Sequence, residues 1–436
     1  MRNLPVMLLI SGALLVPWSA SAQDLAAVYE LAAENDPQLR AAAAARAATQ
    51  EAKPQSRALL FPTLSLDANT NYNDLDIRAP AIGTSRFNSN GYTLNLTQPV
   101  YRHETYAQIR QADARIGQAE AEYSAAQQEL IVRVATRYFD VLAAQDNLEF
   151  AHAEKESIAR QLEQSRQRFD VGLVAITDVH EAQARYDLAV AQEIDAENQL
   201  STARETLREV TGRYHEDLAP LMTKIPLLTP EPSNIETWVD TALKQNLQIS
   251  AADFAAQVAR EEIDRRRAGH YPTLDIVGSS GYTHSGGGRF GASQIDSNVI
   301  GIQLNAPLFQ GGLVNARVRE AEHLRTQALE ILEQQRRAVL RQTRASYLSV
   351  LAGISRVDAL GQAIVSNQSA LDAAEAGLEV GTRTAVEVLD ARRELFRAKR
   401  DYARARYDYI LETLRLKQAA GTLSPSDVQQ INTWLQ

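Results

Sequence analysis

The chain is one unit written twice, and that duplication limits what it can fold into. Phe61-Pro62-Thr63-Leu64 returns 210 residues later as Tyr271-Pro272-Thr273-Leu274, and Gln98-Pro99-Val100-Tyr101 returns 208 later as Ala306-Pro307-Leu308-Phe309. Tyr138-Phe139-Asp140-Val141-Leu142 reappears as Tyr347-Leu348-Ser349-Val350-Leu351, Val171-Gly172 as Val380-Gly381, and Thr211-Gly212 as Ala420-Gly421, all at 209. Five anchors in one order at near-constant spacing mark a duplicated structural unit. The first copy is expected over 23–219 and the second over 233–421, with a Pro-rich link at 220–232 and a tail at 422–436.

Each copy reads helix, strand, strand, very long helix, short break, helix. From His103 to Phe169 the only Gly or Pro is Gly117. Ile109, Ala112, Ile116, Ala119, Tyr123, Ala126, Leu130, Val134, Tyr138 and Val141 step mostly by three and four, the heptad-like spacing of coiled coils. At 1.5 Å per residue such a helix, expected over about 103–169, runs to about 100 Å. A globular domain has no use for a rod of that length. The second copy repeats it over about 315–379. Shorter helices flank each rod: Asp24 to Arg57, with Pro37 ending a first short segment, and 177–211; then Asn234 to Arg267, and 384–420. Two of these laid end to end match one rod.

Ahead of each rod the period changes from 3.6 to 2. Strands are expected at about 63–72, 90–99, 273–284 and 298–307. Leu64, Leu66, Ala68, Thr70 and Tyr72 alternate with Ser65, Asp67, Asn69 and Asn71, and Ile300, Ile302 and Leu304 alternate with Gly301, Gln303 and Asn305. A half-buried soluble sheet alternates in the same way. The strand length and the aromatics at both ends (Phe61, Tyr101, Tyr271 and Phe309; Tyr72, Tyr92 and Tyr282) favour staves of an outer-membrane barrel. One chain supplies four staves. Lipid tolerates no open sheet edge, and closed barrels start at about eight strands, so several copies have to join. Three copies would give twelve strands around a lumen lined by Asp67, Asn69, Asn71, Asn95, Asp275 and Gln303; the sequence alone does not choose three over two or four.

The leader agrees with export. Arg2, the apolar run Val6 to Val16 and the Ala20-Ser21-Ala22 end form a signal peptide over 1–22. No later segment offers the ~18–20 consecutive apolar residues of a spanning helix. With 45 Lys+Arg against 54 Asp+Glu the formal charge is −9, which argues against nucleic acid as a partner. There is no Cys, hence no disulfide, thiolate metal site or cysteine nucleophile. The seven His show no pair at metal-ligand spacing. Gly286-Gly287-Gly288-Arg289-Phe290-Gly291 fits a dinucleotide pattern but lacks the strand–turn–helix around it, and it is expected to be an extracellular loop. No catalytic motif is found, so no enzyme activity and no cofactor are expected, and energy has to come from a partner.

Arg168-Phe169-Asp170-Val171-Gly172-Leu173-Val174-Ala175-Ile176-Thr177-Asp178-Val179 and its counterpart Val380 to Ala391 are the most specific stretches. Through them, and across 24–421, the chain resembles the TolC family of outer-membrane efflux and secretion channels. The resemblance implies a mixed membrane α+β fold: a homotrimer whose twelve-strand outer-membrane β-barrel continues into a twelve-helix periplasmic α-barrel. It implies a passive exit duct of a tripartite efflux pump or a type I secretion system, gated at the periplasmic helix tips. The partners would be outer-membrane lipid, a periplasmic adaptor and an inner-membrane transporter of pump or ABC type. A soluble periplasmic coiled-coil adaptor is the alternative, but it would not need the four amphipathic strands.

Carried onto this sequence, the family's features fall on named residues. Val171, Gly172, Val380 and Gly381 would be the adaptor-docking tips. Gln161, Thr177, Asp178, Glu375 and Arg383 would form the gate network, with Arg383 paired to Asp178 and Gln161 to Glu375. The family's tyrosine in that network falls on Leu378, which cannot hydrogen-bond. Glu387 and Asp390, three apart and so on one helix face, would make a cation-selective entrance ring. Substrate identity is not written in the chain.

Overall fold

The computed structural model describes residues 23–77, 83–288 and 290–436; the expected signal peptide lies outside them. The first copy runs α1 (Leu25–Asn35), α2 (Pro37–Gln50), α3 (Ala52–Ala58), β1 (Thr63–Ile77), β2 (Gly83–Tyr101), α4 (His103–Asp170) and α5 (Ile176–Thr211). The second runs α6 (Ile235–Gln245), α7 (Leu247–Arg267), β3 (Thr273–Ser285), β4 (Ser293–Asn305), α8 (Leu313–Glu379) and α9 (Ala385–Ala420), followed by α10 (Pro425–Asn432).

α4 and α8 are the rods, 68 and 67 residues long, each about 100 Å. Toward the strands the helices pack in the order α2 and α3, α4, α7, α8; toward the far tips the order is α5, α4, α9, α8. One chain is therefore a slab four helices wide. Its edges are α2, α3 and α5 on one side and α8 on the other.

Asp36 and Asn246, which are 210 residues apart, break the short helices in the same way. Asp36 Oδ2 accepts the Leu39 N–H at 2.8 Å, and Pro37 takes the first position of α2, where its missing N–H costs nothing. Asn246 Oδ1 accepts from the N–H groups of Gln248 and Ile249, while its Nδ2 donates to the Ala419 carbonyl at 2.9 Å. The single helix expected from Asn234 to Arg267 is thus two, because an Asn side chain offers the backbone a better partner than helix continuation does.

The main core lies midway along the rods. Tyr138 and Phe139 of α4 belong to one apolar cluster with Leu25 and Val28 of α1, Leu207 of α5, Val350 of α8, Ile410 and Leu414 of α9, and Val428 and Ile431 of α10. Buried tyrosines find partners there: Tyr138 Oη donates to the Ala219 carbonyl at 2.8 Å, and Tyr409 Oη accepts the Leu228 N–H at 2.8 Å. The link and the tail therefore close a belt around the rods. The tail is structured, with Ser424 and Asp427 forming a capping box at the start of α10.

The four strands make one antiparallel sheet in the order β1-β2-β3-β4. β1 and β2 run past Tyr72 to a longer hairpin, in which Arg86 pairs with Asp74 at 3.1 Å. The apolar–polar alternation ends near Tyr72, since Asn73, Asp74 and Asp76 make both faces polar, and so the period gives no sign of the extension.

Candidate functional site: a sheet face and two helix tips

Register sorts the sheet into two faces. Leu64, Leu96, Gly278 and Ile300 form one row, and Leu66, Leu94, Ser280 and Asn298 form the next. This face is bare in the single chain: Leu66 is 67% exposed and Ile300 85%. Its polar pair is satisfied internally, Ser280 Oγ donating to Asn298 Oδ1 at 2.7 Å. The opposite face carries Asp67, Asn69, Asn71, Asn95, Asp275 and Gln303. There Asn95 Nδ2 donates to Asp67 Oδ2 at 2.8 Å, and Arg102 holds Asp275 in a two-pronged pair at 3.0 and 2.9 Å. Tyr92 and Tyr282 stack at 5.8 Å toward the end of the sheet away from the helices. β1 and β4 each keep one edge without a partner strand among the described residues.

The slab edges are also apolar. Leu188 and Ile194 on α5, and Leu348 and Val365 on α8, are exposed. Averaged over a window that tolerates an occasional charge, α8 holds a stretch apolar enough to span a bilayer, of which 11% is buried within the chain. That qualifies the expectation drawn from unbroken apolar runs. The stretch belongs to α8, the rod at one edge of the slab among the described residues.

At the far end of the slab, α4 turns into α5 and α8 into α9. Gly172 and Gly381 have φ of 78° and 77°, and an added Cβ would meet nothing within 4 Å at either. The backbone angle alone requires glycine there. The turns close by the Leu173 N–H donating to the Arg168 carbonyl and the Thr382 N–H to the Gly377 carbonyl, both at 2.8 Å. Val171 and Val380 stand 69% and 75% exposed at the ends.

Just behind the tips sit the charged groups. Thr384 caps α9: its Oγ1 accepts the Glu387 N–H, and Glu387 Oε2 accepts the Thr384 N–H at 2.8 Å. Arg383 Nη1 donates to Glu387 Oε1 at 2.9 Å. The Thr384 N–H first, and then Arg383, hold the Glu387 carboxyl below its ordinary range. Asp390 pairs with Arg185 of α5 at 3.0 Å and with Arg393 at 3.6 Å. Glu375 accepts from Arg392. Gln161 is buried, and with Glu375, Leu378 and Arg392 it lines a cleft of about 580 Å³. Thr177 and Asp178 open α5, Thr177 exposed and Asp178 half-buried. Within one protomer, then, Arg383 turns to Glu387 rather than Asp178, and Glu375 to Arg392 rather than Gln161. Arg185 and Arg392 escaped the sequence reading, because pairing across helices leaves no local pattern.

Comparison with known proteins finds relatives that share the duplication and the fold. The family described as outer membrane efflux protein matches twice, over residues 28–213 and 238–422. The outer membrane protein TolC of Vibrio cholerae is 42% identical over 417 residues, which span 95% of this chain and 94% of that one. The alkaline protease secretion protein AprF of Pseudomonas aeruginosa is 31% identical over 438 residues, 99% of this chain and 91% of that one. In fold, the CmeC outer membrane channel of Campylobacter jejuni superimposes with a TM-score of 0.79 at 17% identity, covering 100% of this chain and 98% of that one.

Proposed function

The chain belongs to the outer membrane efflux protein family, and from that premise we propose that three copies close into one duct crossing the outer membrane and the periplasm. The bare apolar sheet face carries this reading. A soluble protein does not leave such a patch uncovered, whereas lipid covers it without cost. The two open strand edges then have to pair with neighbouring copies, since unpaired backbone is not tolerated in lipid. Three slabs, each four strands and four helices wide, give a twelve-strand barrel and a twelve-helix tunnel, with α8 of one copy against α2, α3 and α5 of the next. The apolar residues on both slab edges support that contact. A soluble adaptor would leave the sheet face bare.

In this reading the polar sheet face lines the barrel, and substrates pass through chemically unchanged. The relatives' names, outer-membrane efflux and protease secretion, fit an exit duct served by an inner-membrane transporter. The exposed Val171–Gly172 and Val380–Gly381 turns receive the periplasmic adaptor. Arg383, with donors left over from Glu387, reaches Asp178 and Thr177 of a neighbouring copy, and Gln161 reaches Glu375 across the cleft they share within one copy. Glu387 and Asp390, three of each, ring the entrance.

The test is outer-membrane fractionation followed by native mass measurement and planar-bilayer recording. A heat-dissociable trimer that conducts ions is expected. A freely soluble monomer without conductance would overturn the reading.

A further inference from the structure

The two tip hairpins are clasped at equivalent positions of the duplication. On the first, Arg166 Nη2 of α4 donates to Gln183 Oε1 of α5 at 2.6 Å. Advanced by 209 residues these positions are Glu375 of α8 and Arg392 of α9, and there Arg392 Nη2 donates to Glu375 Oε1. The clasps are not equal. Arg166 is exposed and meets a neutral amide. The Arg392 side chain is only 15% exposed and meets a carboxylate, and its second nitrogen, Nη1, donates to the Ser157 carbonyl of α4 at 3.2 Å.

We propose that Arg392 is a positioning residue of the entrance, fastening the α8–α9 hairpin to the first copy's rod and so setting how far that hairpin can swing outward. This rests on the tips being the mouth of a duct. A planar guanidinium presents donors on two sides in fixed geometry, so one side can serve a carboxylate on α8 while the other serves a backbone carbonyl on α4. The hairpin does not need Arg392 to hold together, because Leu371 and Ala374 of α8 pack on Val388 and Leu395 of α9. What Arg392 adds nearest the tip is a tie from both hairpin helices to α4, beside the apolar contact of Leu389 with Ile158 and Ala189, the Asp390–Arg185 pair, and the Arg400–Glu154 pair farther from the tip. Arg166 ends within its own hairpin, so the first hairpin has no such fastening at this position. The α8–α9 hairpin is therefore the one in which a single side chain ties both of its helices to α4, alongside the Asp390–Arg185 pair to α5.

The experiment records single-channel conductance of the purified full-length protein in planar bilayers, with the heat-dissociation temperature of the trimer measured in parallel. Arg392→Gln is expected to raise conductance by about twofold or more, a widening of the narrowest point of the pore, with the trimer dissociating as the parent does. Arg392→Lys, whose ammonium serves Glu375 but cannot also span to Ser157, is expected to fall between the two. Arg166→Ala is expected to change conductance less than Arg392→Gln. Parent-like conductance of Arg392→Gln, or a rise accompanied by loss of the trimer, overturns the proposal. A parent protein that conducts nothing overturns the duct reading itself, and this inference falls with it.

Discussion

Arg383 Nη1 and Glu387 Oε1 lie 2.9 Å apart, one turn from each other along α9. The same carboxylate takes the Thr384 N–H at 2.8 Å, so the arginine is aimed by the cap that starts the helix. A guanidinium held this way has donors left for an acid on a neighbouring copy, and Asp178 is the acid expected there. Arg383→Ser is predicted to raise single-channel conductance while leaving the trimer intact. Unchanged conductance would remove Arg383 from the gate.

The two ring acids are unequally neutralised. Asp390 faces Arg185 at 3.0 Å and Arg393 at 3.6 Å, whereas Glu387 faces Arg383 alone. Four of these five side chains are substantially solvated, Arg185 being the exception, so each pair is worth little to stability, yet the local field at the mouth still depends on the balance of signs. Arg185→Ala is predicted to strengthen block of the pore by a trivalent cation, and Glu387→Gln to weaken it. Titration of the current with that cation measures both. Equal blocking concentrations in Arg185→Ala and the parent would mean that Asp390 does not face the mouth.

Glu387 also sets a pH expectation. Its carboxyl is held below the ordinary 4.5, first by the Thr384 N–H and then by Arg383. A carboxylate with a depressed folded-state pKa contributes its stabilisation above the unfolded value and loses it as pH falls through the lower, folded one. The start of α9 should therefore hold, and multivalent block should persist, while pH falls through 4.5. Thr384→Ala removes the hydroxyl half of the capping box and Arg383→Ser the guanidinium. Both are predicted to move the acid loss of block to higher pH. Block that disappears at the same pH in all three proteins would separate it from Glu387.

Much of this architecture is legible in the chain because the two periodicities and the duplication are all local signals. Tyr138 and Tyr347, found as repeat partners, are both core residues, and the polar row from Asp67 to Asn71 follows from alternation alone. The missed features have weak local signatures or none. The break at Asn246 rests on a local cap of the Gln248 and Ile249 N–H groups, at the repeat position of Asp36, and its Nδ2 also reaches Ala419, 173 residues away. The order of the α10 tail comes from packing on α1 and α9. At the tips, residue types at the right spacing identified the acids but not their partners, since Arg185 and Arg392 act from other helices.

Gly117, the one interruption in the first rod's sequence, tests how tightly that rod meets α7. An added Cβ there would lie 2.5 Å from Cε1 of Phe254 on α7. In isolation Gly→Ala favours a helix by roughly 0.5–1 kcal/mol, but here the ring has to turn aside, and overpacking of this kind costs about 1–3 kcal/mol. Gly421 is stricter: its φ is 77°, and an added Cβ would lie 2.3 Å from the Gln245 carbonyl oxygen, a backbone atom with nowhere to go. Gly172 meets nothing, so alanine there bears only the angular cost, about 1–2 kcal/mol and confined to the tip. Thermal unfolding of the three alanine variants should therefore rank Gly421 as most damaged, Gly117 next and Gly172 nearly parental in global melting. A Gly421→Ala protein that melts with the parent would mean that α9 does not end against the α6–α7 junction.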